Sequence, residues 1–362
     1  MTKILYISPE NTVGTLSQWK KMHEARGNQC EIVTLYPAKH QYEEGICLNL
    51  PLISTDSWYT KFRHKYYQVH RGKLGDYQEK EGFPPTWEPH SFFEKKYFKF
   101  RDWIWHFYIE PAIKEYGLMD YDIYHFEWGL GLYRDSRFAK RVAEAGKAIV
   151  CTYHGQDMRT RGVIPEMDAL SQLNLTSELD LVEKHPNLDY LFLPFDTEQY
   201  NIIDTVRSPV KVCHSPTNRH YKGSEDIIPI CQKLAEEGLI AFNLIENQPY
   251  EQVIKQKQES DILVDQIHNR GGWGYGMNSV ESLAMGLVCM TELVEPYQTF
   301  IPDHPFIHIT AETFEQSLRD LISNPALLKE KKQKSKAWVE KYHSHKSVSK
   351  VLYAYYKQKG WI

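Results

Sequence analysis

The sequence predicts an α/β protein made of two doubly wound, Rossmann-like domains that face a cleft. Short apolar runs of strand length alternate with helical stretches along most of the chain. Several of those runs lead into glycine-containing turns, where an open α/β sheet places its ligand crevice. At 362 residues the chain is also long enough for two cores of ordinary size.

In order, Lys3 to Ser8 (KILYIS) reads as a first strand. The turn ENTVG leads into a helix from Thr15 to Arg26 that stops at Gly27-Asn28, and Glu31 to Tyr36 is the second strand. Gly14 therefore occupies the first strand-to-helix turn; without a full GxGxxG this is no dinucleotide fingerprint. From Trp58 to Tyr116 aromatic residues interleave with Lys61, Arg63, Lys65, Arg71 and Lys73. Such a segment can lie on an anionic membrane surface or receive a saccharide on aromatic faces. The plainer reading is an insertion with its aromatics packed inward.

Strands are expected at Asp122 to Trp128 and Ala148 to Tyr153, with a helix over Phe138 to Ala145 between them, and Tyr190 to Leu193 as the last strand of the first domain. The second of these runs into His154-Gly155, so His154 stands at a strand tip, placed to bond a sugar hydroxyl or a phosphate oxygen. A connection over Pro194 to Pro209 precedes the second domain, which opens with the strand Val210 to Ser215. The loop Pro216 to Gly223 follows, where Arg219 offers a guanidinium fork and Lys222 a point charge. A helix over Ile227 to Glu236, a strand over Ala241 to Ile245 and a helix over Tyr250 to Gln258 come next.

Asp261 to Met290, DILVDQIHNRGGWGYGMNSVESLAMGLVCM, is the most informative stretch. Ile262 to Val264 is a buried strand, and Gly271, Gly272, Gly274 and Gly276 form a turn that lets backbone approach a ligand. Met277 to Met285 is a helix stopped by Gly286, whose free N–H groups and dipole favour a phosphate. Glu281 can accept two hydroxyl hydrogen bonds, as from a ribose or hexose. A glycine-rich turn with a glutamate that merely complements the dipole fits these residues equally well. A strand region over Ile301 to Ile309, a helix over Ala311 to Ile322, and a long basic segment from Leu327 to Lys359 broken near His343-Ser344-His345 complete the chain.

DILVDQ followed by GWGYGMNSVESLAMG resembles the donor-binding motif of the group 1 glycosyltransferases, retaining enzymes of GT-B fold that use nucleotide sugars. TYHGQDMR is similar to the family's TxHGSD segment, and Lys222-Gly223 to the end of its basic loop. The resemblance implies three ranges: an acceptor-side domain over 1–200, a donor domain over 209–340, and a C-terminal helix over 341–362 that crosses back to the first. It implies UDP- or GDP-sugar as donor substrate, a saccharide or lipid-linked acceptor, and a role in cell-surface polysaccharide or glycan synthesis. His154, Arg219 and Lys222 are the expected catalytic residues. Gly14, Asn218, Gly274, Tyr275, Gly276, Met277, Asn278 and Glu281 are the expected donor-binding residues, with Glu281 on the ribose. In the family a glutamate stands where this chain has Trp273.

No cofactor and no metal are expected. His343 and His345 alternate without a nearby carboxylate, and Asp120-Tyr121-Asp122 precedes its strand rather than ending it. A net charge of −4 argues against a nucleic-acid partner. Six cysteines without CxxC spacing read as buried thiols, and no stretch suggests a signal peptide or membrane span, so a cytoplasmic or inner-face peripheral location is expected. Two further readings are an epimerase of the same fold and a non-catalytic sugar-nucleotide-binding relic.

Overall fold

A computed structural model describes residues 1–38, 42, 45–52, 79–202, 205–270 and 272–362. The first part of the aromatic and basic stretch, residues 58–78, which includes Lys61, Arg63, Lys65, Arg71 and Lys73, lies outside the described residues, as does Gly271. The chain divides into two compact units: Met1–Leu191 together with Ser349–Ile362, and Phe192–Val348.

The first unit is organised on a parallel sheet. Its strands are β1 (Lys3–Ser8), β2 (Gln29–Thr34), β3 (Ile46–Cys47), β4 (Ile123–Glu127), β5 (Ala148–Tyr153), β6 (Leu173–Thr176) and β7 (Asp189–Tyr190), arranged β3-β2-β1-β4-β5-β6-β7. Helices α1 (Thr15–Glu24), α2 (Phe92–Glu115), α3 (Arg137–Glu144), α4 (Pro165–Leu170) and α5 (Leu179–Val182) connect them. β1 and β5 have the predicted bounds, and Leu5, Ile7, Tyr124, Phe126, Ile149 and Cys151 are buried in one core with the helices. The expected strand at Tyr190 to Leu193 is cut to two residues, and β6 was not anticipated. Its sequence LNLT has no apolar run, and Asn174, the residue of a formal glycosylation sequon, is buried in the sheet with its amide near Asp168.

The described part of the aromatic segment, from residue 79, ends in one long helix, α2. Ser91 caps it by accepting the Glu94 N–H at 3.1 Å, and Glu94 in turn accepts from the His90 N–H. Phe98, Trp105, Ile109, Ala112 and Ile113 face inward. The other face is unlike the inward-packed insertion of the plainer reading, for Phe92, Phe93, Phe100, Trp103 and Phe107 are each more than half exposed.

The second unit carries β8 (Val210–His214), β9 (Ile240–Leu244), β10 (Ile262–Val264), β11 (Val288–Thr291) and β12 (Ile307–His308), all parallel in the order β12-β11-β10-β8-β9. Its helices are α6 (Arg219–Lys222), α7 (Ser224–Glu236), α8 (Tyr250–Gln258), α9 (Met277–Ala284), α10 (Glu295–Phe300), α11 (Phe314–Ile322) and α12 (Pro325–His343). Val212, Ile262, Val264, Val288 and Met290 are fully buried between the layers. Each such side chain contributes roughly 1.5–3 kcal/mol by leaving water. At the N-terminal end of β10 the wholly buried Asp261 accepts from Arg207 and Lys332, both at 3.0 Å, which ties α12 to the sheet.

The long basic segment breaks at Ser344, where α12 gives way to α13 (His345–Gln358). From Ser349 onward the chain packs within the first unit. Tyr353 Oη bonds His23 Nδ1 at 2.9 Å and accepts from Asn28 Nδ2 at 2.7 Å, and Tyr356 Oη bonds His125 Nε2 at 2.5 Å. Both histidines are fully enclosed, and burial pushes His23 down to about 3. Five of the six cysteines are buried and all six are free. No helix of the described residues is long and apolar enough to cross a membrane.

Candidate functional site

In both sheets the strand order reverses once, and the crevice beyond the C-terminal strand ends at that reversal is where open α/β folds hold ligands. In the second unit the reversal lies between β8 and β10.

Asp265, the residue after β10, is the centre of that crevice. It is wholly buried, and its carboxylate accepts from Lys222 Nζ at 2.7 Å, Asn278 Nδ2 at 2.7 Å and Ser279 Oγ at 2.5 Å. Burial by itself would raise its pKa, but Lys222 and these donors outweigh that and hold the carboxyl below its usual range. Lys222 also reaches Gln266 Oε1 at 3.3 Å, and Gln266 donates to the Gly274 carbonyl at 2.6 Å. Ser215, directly after β8, donates to Asn278 Oδ1 at 2.7 Å. One polar network thus joins the loops after β8 and β10 to the start of α9. Gly223 allows it: the residue has φ +64°, and a Cβ there would stand 2.3 Å from the Ile267 carbonyl oxygen.

Of the residues expected to bind donor, Lys222, Asn278 and the 274–277 backbone are brought together here. Gly276 is extended and an added Cβ would meet nothing within 4 Å, so its surface is open. The N–H groups of Met277 and Asn278 open α9 and have no acceptor within the helix. Tyr275 contributes backbone only. Its ring is buried among Tyr297, Phe306 and Trp338, and its hydroxyl bonds His343 Nε2 at 2.8 Å. The Met277 side chain is likewise buried.

The remaining expected residues have other partners. Asn218 caps α6, accepting from the His220 and Tyr221 N–H groups at 3.0 and 3.3 Å. Arg219 is largely exposed, and its fork closes on Glu246 at 2.8 and 2.6 Å. Glu281 is buried, accepting from Tyr250 Oη at 2.9 Å and from Lys257 Nζ at 2.6 Å. Lys257 was not singled out in the sequence: it lies on a polar-looking helix, yet only 1% of it is exposed.

In the first unit the reversal lies between β1 and β4. Gly14 follows β1 with φ +72° and opens α1, its Cα side facing the Tyr42 ring. His154 follows β5, and its Nε2 bonds the Glu127 carboxylate at the tip of β4. Glu127 was not singled out in the sequence. A carboxylate ending a buried strand, with a histidine ending the neighbouring one, was the available signal. Beside them Arg159 is held by Glu178 at 2.7 Å and Asp180 at 2.6 Å.

His343 is taken up by Tyr275 and by the Leu193 carbonyl at 2.7 Å. Among the described residues Glu225, Asp226 and His268 bring ligand-type atoms within 4.8 Å of one another. His268 there bonds Asp226 at 2.7 Å, and Glu225 pairs with Arg270.

No protein-family model and no curated protein matches this chain. Solved structures do match in fold. An α-glucosyltransferase in complex with UDP and a 13-mer DNA containing a mismatch is 10% identical, covering 98% of this chain and 99% of that one at a TM-score of 0.62. Sucrose-phosphate synthase from Thermosynechococcus elongatus is 12% identical over 99% of both chains at 0.61. HepE of Anabaena, solved with UDP-glucose, is 10% identical over 99% of this chain and 100% of that one at 0.56. The chain therefore has the GT-B fold that the sequence resemblance implied.

Proposed function

We propose that this protein is a glycosyltransferase that moves a hexosyl unit from a UDP- or GDP-sugar to a saccharide or lipid-linked acceptor. The observation that carries the reading is the network of Lys222, Asp265 and Asn278 at the opening of α9, set at the strand-order reversal of a GT-B donor-side sheet. As the anomeric bond breaks, the leaving diphosphate gains charge. Fixed donors meet it there: the Met277 and Asn278 N–H groups, the helix dipole and the Lys222 ammonium. Arg219 joins them once released from Glu246. Such donors need no divalent cation, and retention of configuration is what the resemblance to group 1 enzymes implies. A place in polysaccharide or glycan synthesis at the cytoplasmic face fits an acceptor of this class.

Thermal shift with a panel of nucleotide sugars tests the donor. A ligand that binds is expected to add ~2.7 kcal/mol of apparent stability at a hundred times its Kd, with or without chelator. Lys222→Ala should abolish most of that gain. If no nucleotide sugar raises the Tm of the parent protein, the reading fails. One similar structure holds DNA, so a DNA duplex belongs in the acceptor panel as the competing outcome.

The outward face of α2 supports a lipid-linked acceptor. Phe92, Phe93, Phe100, Trp103 and Phe107 lie there beside the exposed Lys95, Lys96 and Lys99, an aromatic and basic surface suited to anionic headgroups. Vesicles containing anionic lipid should bind the protein, and the triple change Phe100→Ser, Trp103→Ser, Phe107→Ser should weaken this about tenfold or more. Nucleotide binding should not change. Equal sedimentation of parent and triple variant with such vesicles would remove the membrane from the account.

A further inference from the structure

A cavity of about 860 Å³ opens in the first unit between the start of α2 and the connections that leave β4 and β5. Small-molecule sites span roughly 300–1,000 Å³ and join apolar or aromatic walls to a few polar groups. Here the walls are aromatic. Trp87 and Phe98 meet edge to face with ring centres 5.4 Å apart, and the Arg134 guanidinium lies over both rings at 4.9 and 4.7 Å. Phe92 adds a third ring, 68% exposed.

Backbone bonds fix this platform. The Trp87 N–H donates to the Val163 carbonyl at 2.7 Å and the Val163 N–H to the Pro85 carbonyl at 2.8 Å, so the segment carrying Trp87 is laced to the one that leads into α4. Gly162 makes the approach possible: its φ is +83°, and an added Cβ would run into the Pro85 carbonyl. A ring held in place beforehand loses little freedom when a ligand arrives.

Charge decides what the cavity takes. Its lining has as many acids as bases. Arg137 is held by Asp135 at 2.9 Å, and Asp102, 2% exposed, by Arg101 at 2.8 Å and the Arg134 backbone N–H at 2.7 Å. Lys95, Lys99, Glu88 and Glu166 also line it, and none of these four has an ion pair among the described residues. A phosphate or carboxylate would meet the two glutamates as well as the two lysines, so no excess of one sign selects an ion. A pyranose suits both halves. Its C–H faces lie against aromatic rings, and its hydroxyls, each donor and acceptor, satisfy carboxylate and ammonium alike.

We propose that this cavity is a binding subsite for a neutral oligosaccharide, seated on Trp87 with Lys95, Lys99, Glu88 and Glu166 bonding its hydroxyls. Binding needs nothing from the second unit. That the bound glycan is the acceptor rests on the glycosyl-transfer reading above, and it narrows that acceptor to one presenting several sugar units rather than a lone sugar.

Malto-, cello- and chito-oligosaccharides titrated into the full chain without donor, and followed by NMR at the Trp87 indole, test the subsite. Members of at least one series should shift that signal and bind about tenfold more tightly than the matching monosaccharide. Trp87→Ala should weaken binding about tenfold or more. Glu166→Ala, an exposed change that leaves the Tm in place, should weaken it severalfold. Affinity should be nearly independent of salt. No response at Trp87 to any series, or affinity equal to the parent's in both variants, overturns the subsite. A steep loss with salt, or displacement of the saccharide by single-stranded DNA, overturns the neutral-glycan class. The thermal-shift panel reports on the donor separately: saccharide binding without donor binding removes the transfer reading and leaves the subsite standing, while donor binding with a silent Trp87 does the reverse.

Discussion

Asp265→Ala is expected to destabilise the second unit by about 3–5 kcal/mol, the loss seen when one partner of a buried ion pair is removed. The carboxylate has no exposed surface and gathers Lys222, Asn278 and Ser279. Truncation leaves an ammonium with 15% of its side chain exposed and two donors without an acceptor. Urea unfolding should show the loss as a lowered midpoint at unchanged slope. The pH dependence follows from the sign of the shift. The folded-state pKa of Asp265 lies below the 3.8 of a free aspartate, so the unfolded chain binds the proton first on acidification. Its stabilisation is present above about pH 4 and is lost as the pH falls through the folded-state value. Asp265→Asn should remove this acid-dependent part and cost less at pH 7 than Asp265→Ala. A loss under 1 kcal/mol for Asp265→Ala would mean the network is decorative.

The second large effect concerns Lys257 and Glu281, a pair with side-chain exposures of only 2% and 6%. Lys257→Met or Glu281→Leu alone should cost about 3–5 kcal/mol, because each leaves a buried charge facing an apolar group. The double change should recover most of that, since two charges no longer have to be desolvated, and the cycle should report a coupling well above 1 kcal/mol. The same four proteins separate the two readings of Glu281. If it holds a ribose, the double variant regains stability without regaining nucleotide affinity. If it only anchors α8 to α9, both return together. Denaturant midpoints and nucleotide titrations on the set decide between them.

The parts legible in the sequence were those where burial shows as a local pattern. β5 and β10 are mainly apolar runs that lead into His154 and Asp265, and Gly286 ends α9 where a left-handed residue is needed. The parts not legible depend on partners distant in sequence. Lys257 looks like a surface lysine because Glu281 is 24 positions away. Asp265 looks like a polar strand end until Lys222, 43 positions earlier, folds onto it. Arg219 carries the charge a diphosphate needs, but the position of Glu246 is not written in its neighbourhood. Tyr275 sits inside a glycine-rich loop, and only the aromatic residues of α10 and α12 reveal that its ring turns inward. β6 escaped for a different reason: LNLT alternates two leucines with Asn174 and Thr176, so its four residues carry no apolar run.

The helix that supplies Tyr353 and Tyr356 to His23 and His125 also has a temporal consequence. The first unit is discontinuous, with 157 residues, from Phe192 to Val348, intervening before its final piece. A ribosome must therefore release the chain past Tyr356 before the two histidines can be enclosed. Until then they stay hydrated and able to protonate, so the nascent amino-terminal half waits for its own closing segment while the other half can already mature.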